Sequence, residues 1–274
     1  MRIASLCPSN TEICACLGLT EQLVGVDHYS DWPNEVRSLP DLGPDLQINM
    51  EKLAELKPNL IIASLSVPGM ENNVEKLDQL GIPYIVLNPK RLVDIYEDIL
   101  RVGEACDCYG NARRLVEDMK TRVEAVAERC PDPPDPPRLY WEWWPRPVFS
   151  PGRENWLTDV TRIVRAEHIF EEEPAPSVQS DWKAVRERRP DYVLLVWTGI
   201  PKEKVPISKV LKRPGWREAP FTAPDRLHVL DEGWYCRPSP RLVTGLEHLA
   251  HLLYPESCPE ARSYLSSFSI RSQK

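Results

Sequence analysis

Glycine is scarce in this 274-residue chain, with 12 residues against 28 prolines. Loops of that make-up are stiff. The glycine-rich phosphate cradles are missing as well: there is no Gly-x-Gly-x-x-Gly and no P-loop. Gly-x-Ser-x-Gly and His-Glu-x-x-His are also absent, which removes the nucleophile-elbow hydrolases and the zinc peptidases. No apolar run approaches the roughly 18 residues of a membrane helix. Basic residues do not outnumber acidic ones, 34 against 41, and the net charge of -7 disfavours a nucleic-acid partner. Eight cysteines are present, at 7, 14, 16, 106, 108, 130, 236 and 258. The closest pairs, Cys14-x-Cys16 and Cys106-x-Cys108, lack the two-to-four-residue gaps of zinc sites. Both fall in segments that read as helical, where residues two apart point about 200° from one another. They are read as small buried or half-buried thiols of a reducing compartment.

What is present is a soluble globular composition, 42% hydrophobic and 27% charged. The first part alternates strand and helix signals. Strands are expected at 2–6, 23–26, 59–63 and 84–87. Ser9-x-x-Glu12 matches a capping box opening a short helix, Asn49 caps a helix at 50–57, and a further helix covers 71–80. Such alternation predicts a parallel sheet covered by helices. A long helical stretch follows at 92–129, interrupted at Tyr109-Gly110-Asn111, with Ala112, Leu115, Met119, Val123 and Val126 at three-and-four spacing. The run Cys130-Pro-Asp-Pro-Pro-Asp-Pro-Pro137 stops it. The pattern then restarts, with strands at 138–143, 192–197 and 227–230 and helices at 154–165, 181–189 and 240–253. The expected organisation is an α/β lobe at 1–91, a helical connector at 92–130, a second α/β lobe at 131–256, and a loosely ordered tail at 257–274. One internal echo ties the lobes together. Glu51-Lys-Leu-Ala-Glu-Leu-Lys-Pro58-Asn matches Lys183-Ala-Val-Arg-Glu-Arg-Arg-Pro190-Asp, a short helix handed through a proline to a buried strand.

In this order and spacing several motifs resemble the class III periplasmic substrate-binding proteins, and among them the vitamin B12 binders of ABC importers. The motifs are Ile3-Ala-Ser-Leu-Cys-Pro8-Ser-Asn10-Thr11-Glu12, Val24-Gly25-Val26 with Tyr29-Ser30-Asp31-Trp32-Pro33, Asn49-Met-Glu51 with Lys57-Pro58-Asn59, and Gly81-Ile82-Pro83. Later ones are Phe149-Ser-Pro-Gly152, Glu167-His168-Ile169-Phe170, and Trp234-Tyr235 with Ser239-Pro240-Arg241. The resemblance implies two Rossmann-like lobes with parallel sheets, a rigid backbone helix joining them, and a ligand cleft between the lobes at the strand ends.

Tyr29 stands where the B12 binders place an aromatic that packs on the corrin. In Tyr140-Trp141-Glu142-Trp143-Trp144, strand geometry sends Trp141 and Trp143 to one face and Tyr140, Glu142 and Trp144 to the other. By family position Trp143 matches a cleft aromatic, with Trp144 beside it. Tryptophan buries much area at small rotamer cost, which suits a flat macrocycle. The resemblance also assigns the ligand Trp234, Tyr235 and Arg237, with Asp231 accepting from amide N–H groups at its edge. His28 is a candidate axial ligand for cobalt or iron.

Two family features are not matched. Two cleft tryptophans are replaced near Ser64 and near Pro176 or Ser177. Of the two glutamates that dock onto permease arginines, Glu51 matches the first, and Lys183 stands at the second, where it would repel an arginine. Glu187 lies one turn on. The chain as written runs from Met1-Arg2 into its first strand without a signal-like segment. The resulting expectation is a non-catalytic, cytoplasmic binding protein for a corrinoid such as cobalamin, a carrier or store derived from an importer component. The alternatives are an extracytoplasmic importer component for ferric siderophore or haem, and a corrinoid-processing enzyme using Cys236 or His28.

Overall fold

The computed structural model describes residues 1–261, which form two compact units. One comprises Met1–Lys120 with Pro238–Pro240, and the other Thr121–Arg237 with the chain from Arg241 onward.

In the first unit the order is β1 (Ile3–Ser5), α1 (Pro8–Cys16), β2 (Leu23–Val26), α2 (Met50–Glu55), β3 (Leu60–Ser64), α3 (Glu71–Leu77), β4 (Tyr84–Leu87) and α4 (Leu92–Ala105). Helix α5 (Tyr109–Arg129) starts in this unit and ends in the other. The four strands form one parallel sheet in the order β2-β1-β3-β4. Central strands β1 and β3 are buried at every residue, so their sequences show no alternation. The core beside them is aliphatic: Leu6, Leu42, Ile48, Leu53, Ile61 and Leu77.

The second unit contains β5 (Arg138–Glu142), β6 (Trp144–Pro145), β7 (Val148–Pro151), α6 (Trp156–Ile163), β8 (Glu167–His168), β9 (Ser177–Ser180) and α7 (Trp182–Glu187). It continues through β10 (Tyr192–Leu195), α8 (Ile207–Val210), β11 (Leu227–Val229), α9 (Glu232–Tyr235) and α10 (Leu242–Leu253). Its parallel sheet runs β11-β10-β5-β8, the same second-first-third-fourth order as the first unit. Its core is aromatic, built on Tyr140, Phe170, Trp216 and Phe221.

The internal echo is structural down to single hydrogen bonds. Asn49 and Asp181 cap α2 and α7 by accepting from the third backbone N–H on. Each six-residue helix ends in a left-handed residue, Lys57 at φ 47° and Arg189 at φ 48°, before its proline. Asn59 then pairs with Arg2 through backbone and side chain (2.7 and 3.0 Å). Asp191 pairs with Arg138 in the same way (2.7 and 2.8 Å).

Several sequence expectations need correction. Helix α1 opens at Pro8 behind Cys7, with no side-chain cap, because proline presets the first helical φ. Glu12 is buried instead and accepts from Ser239 Oγ at 2.5 Å. The α4–α5 break falls at Cys106-Asp107-Cys108, with Asp107 left-handed at φ 54°, so this cysteine pair is not helical. Gly103 lets the turn fold back: a Cβ there would lie 2.3 Å from the Ala112 Cβ. Strand β5 stops at Glu142, and Trp144 belongs to β6, which pairs with β7 in a small antiparallel sheet that β9 completes on the other side of β7. Trp144 therefore does not share a strand face with Tyr140 and Glu142. The closing helix starts at Leu242, after Pro240. The tail expectation from residue 262 on lies outside the described residues.

Candidate functional site

Parallel sheets gather ligands at the carboxyl ends of their strands. In the first unit β2 ends on Asp27-His28-Tyr29. Asp27 is buried and accepts from Tyr29 N (2.8 Å) and Ser30 Oγ (2.5 Å). Ser30 meets Thr11 Oγ1 at 2.7 Å, and Thr11 donates to Ser5 Oγ at 2.7 Å. This buried chain of hydroxyls pins an Asx turn and leaves Tyr29 projecting, 46% exposed. His28 packs edge-on against Tyr29 at 5.2 Å.

The Nδ1 of His28 lies 2.8 Å from Asp41 Oδ2, and Gly43 N donates to the other Asp41 oxygen at 2.7 Å. The hydrogen bond that His28 donates to Asp41 raises the His28 pKa above its ordinary value, and the same bond holds the Asp41 carboxyl below its own. Both side chains are more than half exposed, so water screens the pair and its weight is positional. A carboxylate on one ring nitrogen turns the other away from itself, the arrangement that orients metal-binding imidazoles.

Small polar groups line the neighbouring strand ends. Ser64 donates to Ser66 Oγ (2.9 Å), and Cys7 Sγ lies 3.3 Å from Ser9 Oγ. Burial pushes the Cys7 thiol up to about 11, so it carries little thiolate at neutral pH. Glu51 sits exposed in the first turn of α2.

In the second unit aromatic residues dominate the same sheet end. Trp143 is half-buried and stacks on Trp156 at 5.9 Å and 24°. Its Nε1 is buried without a hydrogen-bond acceptor. Trp156 is held by a bond from Nε1 to the Tyr235 carbonyl (2.8 Å). Trp144 is 41% exposed and donates to the Arg146 carbonyl at 3.2 Å. Trp234 is half-buried, edge-on to His248 at 5.5 Å.

The loop that follows is used internally. Asp231 caps α9 by accepting from Gly233 N at 3.0 Å. Tyr235 is fully buried and its hydroxyl donates to the Gly245 carbonyl at 2.8 Å. Arg237 is buried and pairs with Glu232 at 2.6 Å. Cys236 donates to the Val196 carbonyl (3.1 Å), and burial raises its pKa far above the ordinary thiol range. The structure thus presents Tyr29 and His28 at one strand-end surface and Trp143, Trp144 and Trp234 at the other. It places Tyr235 and Arg237 inside the second unit.

Sequence reading did not find the polar knot beneath the aromatic surface. Glu142 is completely buried at the end of β5. It receives both Arg213 Nη atoms at 2.7 Å, Tyr140 OH at 2.6 Å and Trp197 Nε1 at 2.9 Å. The Arg213 guanidinium lies between the Trp182 and Trp216 rings, 4.9 and 4.5 Å from their centres. A carboxylate inside an apolar strand demands such a partner. Glu142 was the available signal, but Arg213 lies 71 residues on with nothing in the sequence to link them.

Known proteins resemble this chain in sequence and fold. A family model described as a periplasmic binding protein matches residues 3–233. An uncharacterized ABC transporter substrate-binding lipoprotein of Bacillus subtilis is 28% identical over 264 residues, 94% of this chain and 82% of its own. The vitamin B12-binding protein of Vibrio vulnificus is 29% identical, covering 90% of this chain and 88% of its own. The periplasmic heme-binding protein of Roseiflexus superposes with a TM-score of 0.81 over 93% of this chain and 98% of its own, at 22% identity, a likeness of fold alone.

Proposed function

The chain belongs to the periplasmic binding protein family, and from that premise we propose that it is a non-catalytic carrier of a bulky, flat, metal-bearing macrocycle, in the first place a corrinoid. The observation that carries this reading is the set of strand-end aromatics: Tyr29 projecting from the first unit, and Trp143, Trp144 and Trp234 at the surface of the second. Rigid rings that bury large area at small entropic cost are the chemistry a corrin face requires. The relatedness to a vitamin B12-binding protein supports the choice. The half-buried, high-pKa Cys236 gives no support to a thiolate-based enzyme.

One observation favours haem as a second reading. His28 and Tyr29 stand side by side and exposed, and imidazole with phenol is a ligand pair for iron. The test is a parallel titration with cyanocobalamin, cobinamide and haemin, following tryptophan emission and the ligand spectrum. The corrinoid reading expects saturable quenching by the two corrinoids and weaker quenching by haemin. Saturation by haemin alone, with a shifted Soret band lost in Tyr29→Phe, would transfer the assignment to haem.

The proposal includes an intracellular setting, the compartment in which buried thiols such as those of Cys7, Cys14 and Cys106 stay reduced. Subcellular fractionation of the native host tests it, and recovery with the membrane or the envelope fraction contradicts it. A permease partner is part of the family reading, with Glu51 on α2 as its contact. Retention of the chain by a permease, lost on Glu51→Ala, would establish that partner and overturn the intracellular carrier.

A further inference from the structure

The second unit carries an open pocket of about 580 Å³ that the ligand surface above does not use. The β6–β7 turn, Pro145-Arg146-Pro147, forms one wall, and the start of α7, Trp182 and Lys183 with Arg186, forms the other. The floor is apolar, made by the two prolines and the Trp182 ring. The Arg146 guanidinium lies 5.2 Å from the Trp182 ring centre, and Arg213 lies 4.9 Å from it. Arg213 is already neutralised by Glu142, so it fixes the ring and adds no free charge.

The rim charges are differently placed. Arg146, Lys183 and Arg186 are exposed, and among the described residues Arg146 and Arg186 form no ion pair. Lys183 reaches Glu187 at 3.7 Å, a pair 75% and 61% exposed and therefore weak. The Arg186 guanidinium is seated over Gly215, where a Cβ would lie 1.9 Å from its Nη1. Asp181 also lines the pocket, but its carboxylate accepts from Ala184 N at 2.8 Å as the α7 cap. A rim of three cations and one engaged carboxylate on a chain of net charge -7 is a local reversal of sign. The repeat makes the reversal sharper: α2, the counterpart of α7, carries Glu51 at the place of Lys183.

We propose that this pocket docks an acidic segment of a protein partner, a carboxylate set beside an apolar side chain. The apolar residue would enter over Trp182 between the prolines, while the carboxylate meets Arg146, Lys183 and Arg186. Complementary charge then selects the partner and rejects a basic one. The pocket's volume admits two or three side chains, and its open side lets a chain enter and leave. The proposal does not depend on which macrocycle the protein carries.

The test uses the full chain and two capped, fluorescently labelled hexapeptides, one alternating Asp or Glu with Leu and Phe, the other with Lys in place of every acid. Fluorescence anisotropy should show saturable binding of the acidic peptide only, weakened at high salt. Arg146→Glu and Arg186→Glu should each weaken it at least about fivefold, while Lys76→Ala, at an exposed cation on α3 outside the pocket, leaves it unchanged. Unchanged far-ultraviolet dichroism keeps a folding defect apart from a docking defect. Equal binding of both peptides, or binding indifferent to both rim variants, overturns the proposal. Full displacement of the peptide by millimolar phenylacetate would also overturn it, and would make the pocket a small-acid site.

Discussion

Replacing Arg213 by methionine should be among the most damaging single changes in the second unit. The substitution removes two 2.7 Å bonds and leaves Glu142 buried, with only Tyr140 and Trp197 as donors. Removing one partner of a buried pair costs about 3–5 kcal/mol, because the remaining charge has neither water nor counter-charge. That is a large share of a total stability of about 5–15 kcal/mol. At about 2–4 °C per kcal/mol for a chain of this size, the melting temperature should fall by roughly 10 °C. The double variant Glu142→Leu/Arg213→Met removes the stranded charge and should recover most of the loss. Urea unfolding followed by tryptophan emission isolates the effect, since eight of the nine tryptophans lie in the second unit and only Trp32 lies in the first. A loss under about 1 kcal/mol for Arg213→Met, or a double variant as unstable as the single one, would refute the reasoning.

Two further outcomes follow from the geometry. Asp41→Asn should lower the His28 pKa toward its ordinary value, read from the imidazole proton shifts, because the Asp41 bond is the largest cause of its elevation. The raised His28 and lowered Asp41 values mean that the pair's small stabilisation is complete between the two ordinary ranges, disappears as pH rises through the His28 pKa and disappears again in acid as Asp41 protonates; an unchanged titration in Asp41→Asn contradicts this. The sulfurs of Cys130 and Cys258 lie 3.9 Å apart, both buried, so two-electron oxidation by diamide should join them into a disulfide of about 2.05 Å with loss of two protons. Burial and the neighbouring thiol push Cys130 up to about 12, so the reaction should be slow at neutral pH and accelerate as pH rises. Closing so long a loop stabilises by at most about 4–5 kcal/mol, and a peptide map showing no 130–258 link after oxidation at high pH rejects the geometry.

The two α/β units were legible because their signals are local. Strand β4 spans the four expected residues, and Asn49 caps the helix it was expected to cap. The repeated helix-Pro-strand junction was visible because Lys57-Pro58 and Arg189-Pro190 impose the same backbone twice. The small antiparallel sheet was hidden because its hairpin turn is Arg146-Pro147, without the glycine or asparagine that usually marks one. Candidate residues were legible by type but not by direction. Tyr235 and Arg237 read as ligand contacts, yet their partners Gly245 and Glu232 engage them within the second unit, which only tertiary packing decides. The knot at Glu142 joins residues from 140 to 213, and no local pattern marks such a bond.

The central claim is most directly tested by isothermal titration of the full chain with cyanocobalamin. The account expects one saturable site per chain, with affinity reduced about tenfold or more in a Tyr29→Ala/Trp144→Ala variant that keeps its fold. Absence of heat and of any spectral change up to high micromolar cyanocobalamin, or binding that ignores both aromatics, would contradict it.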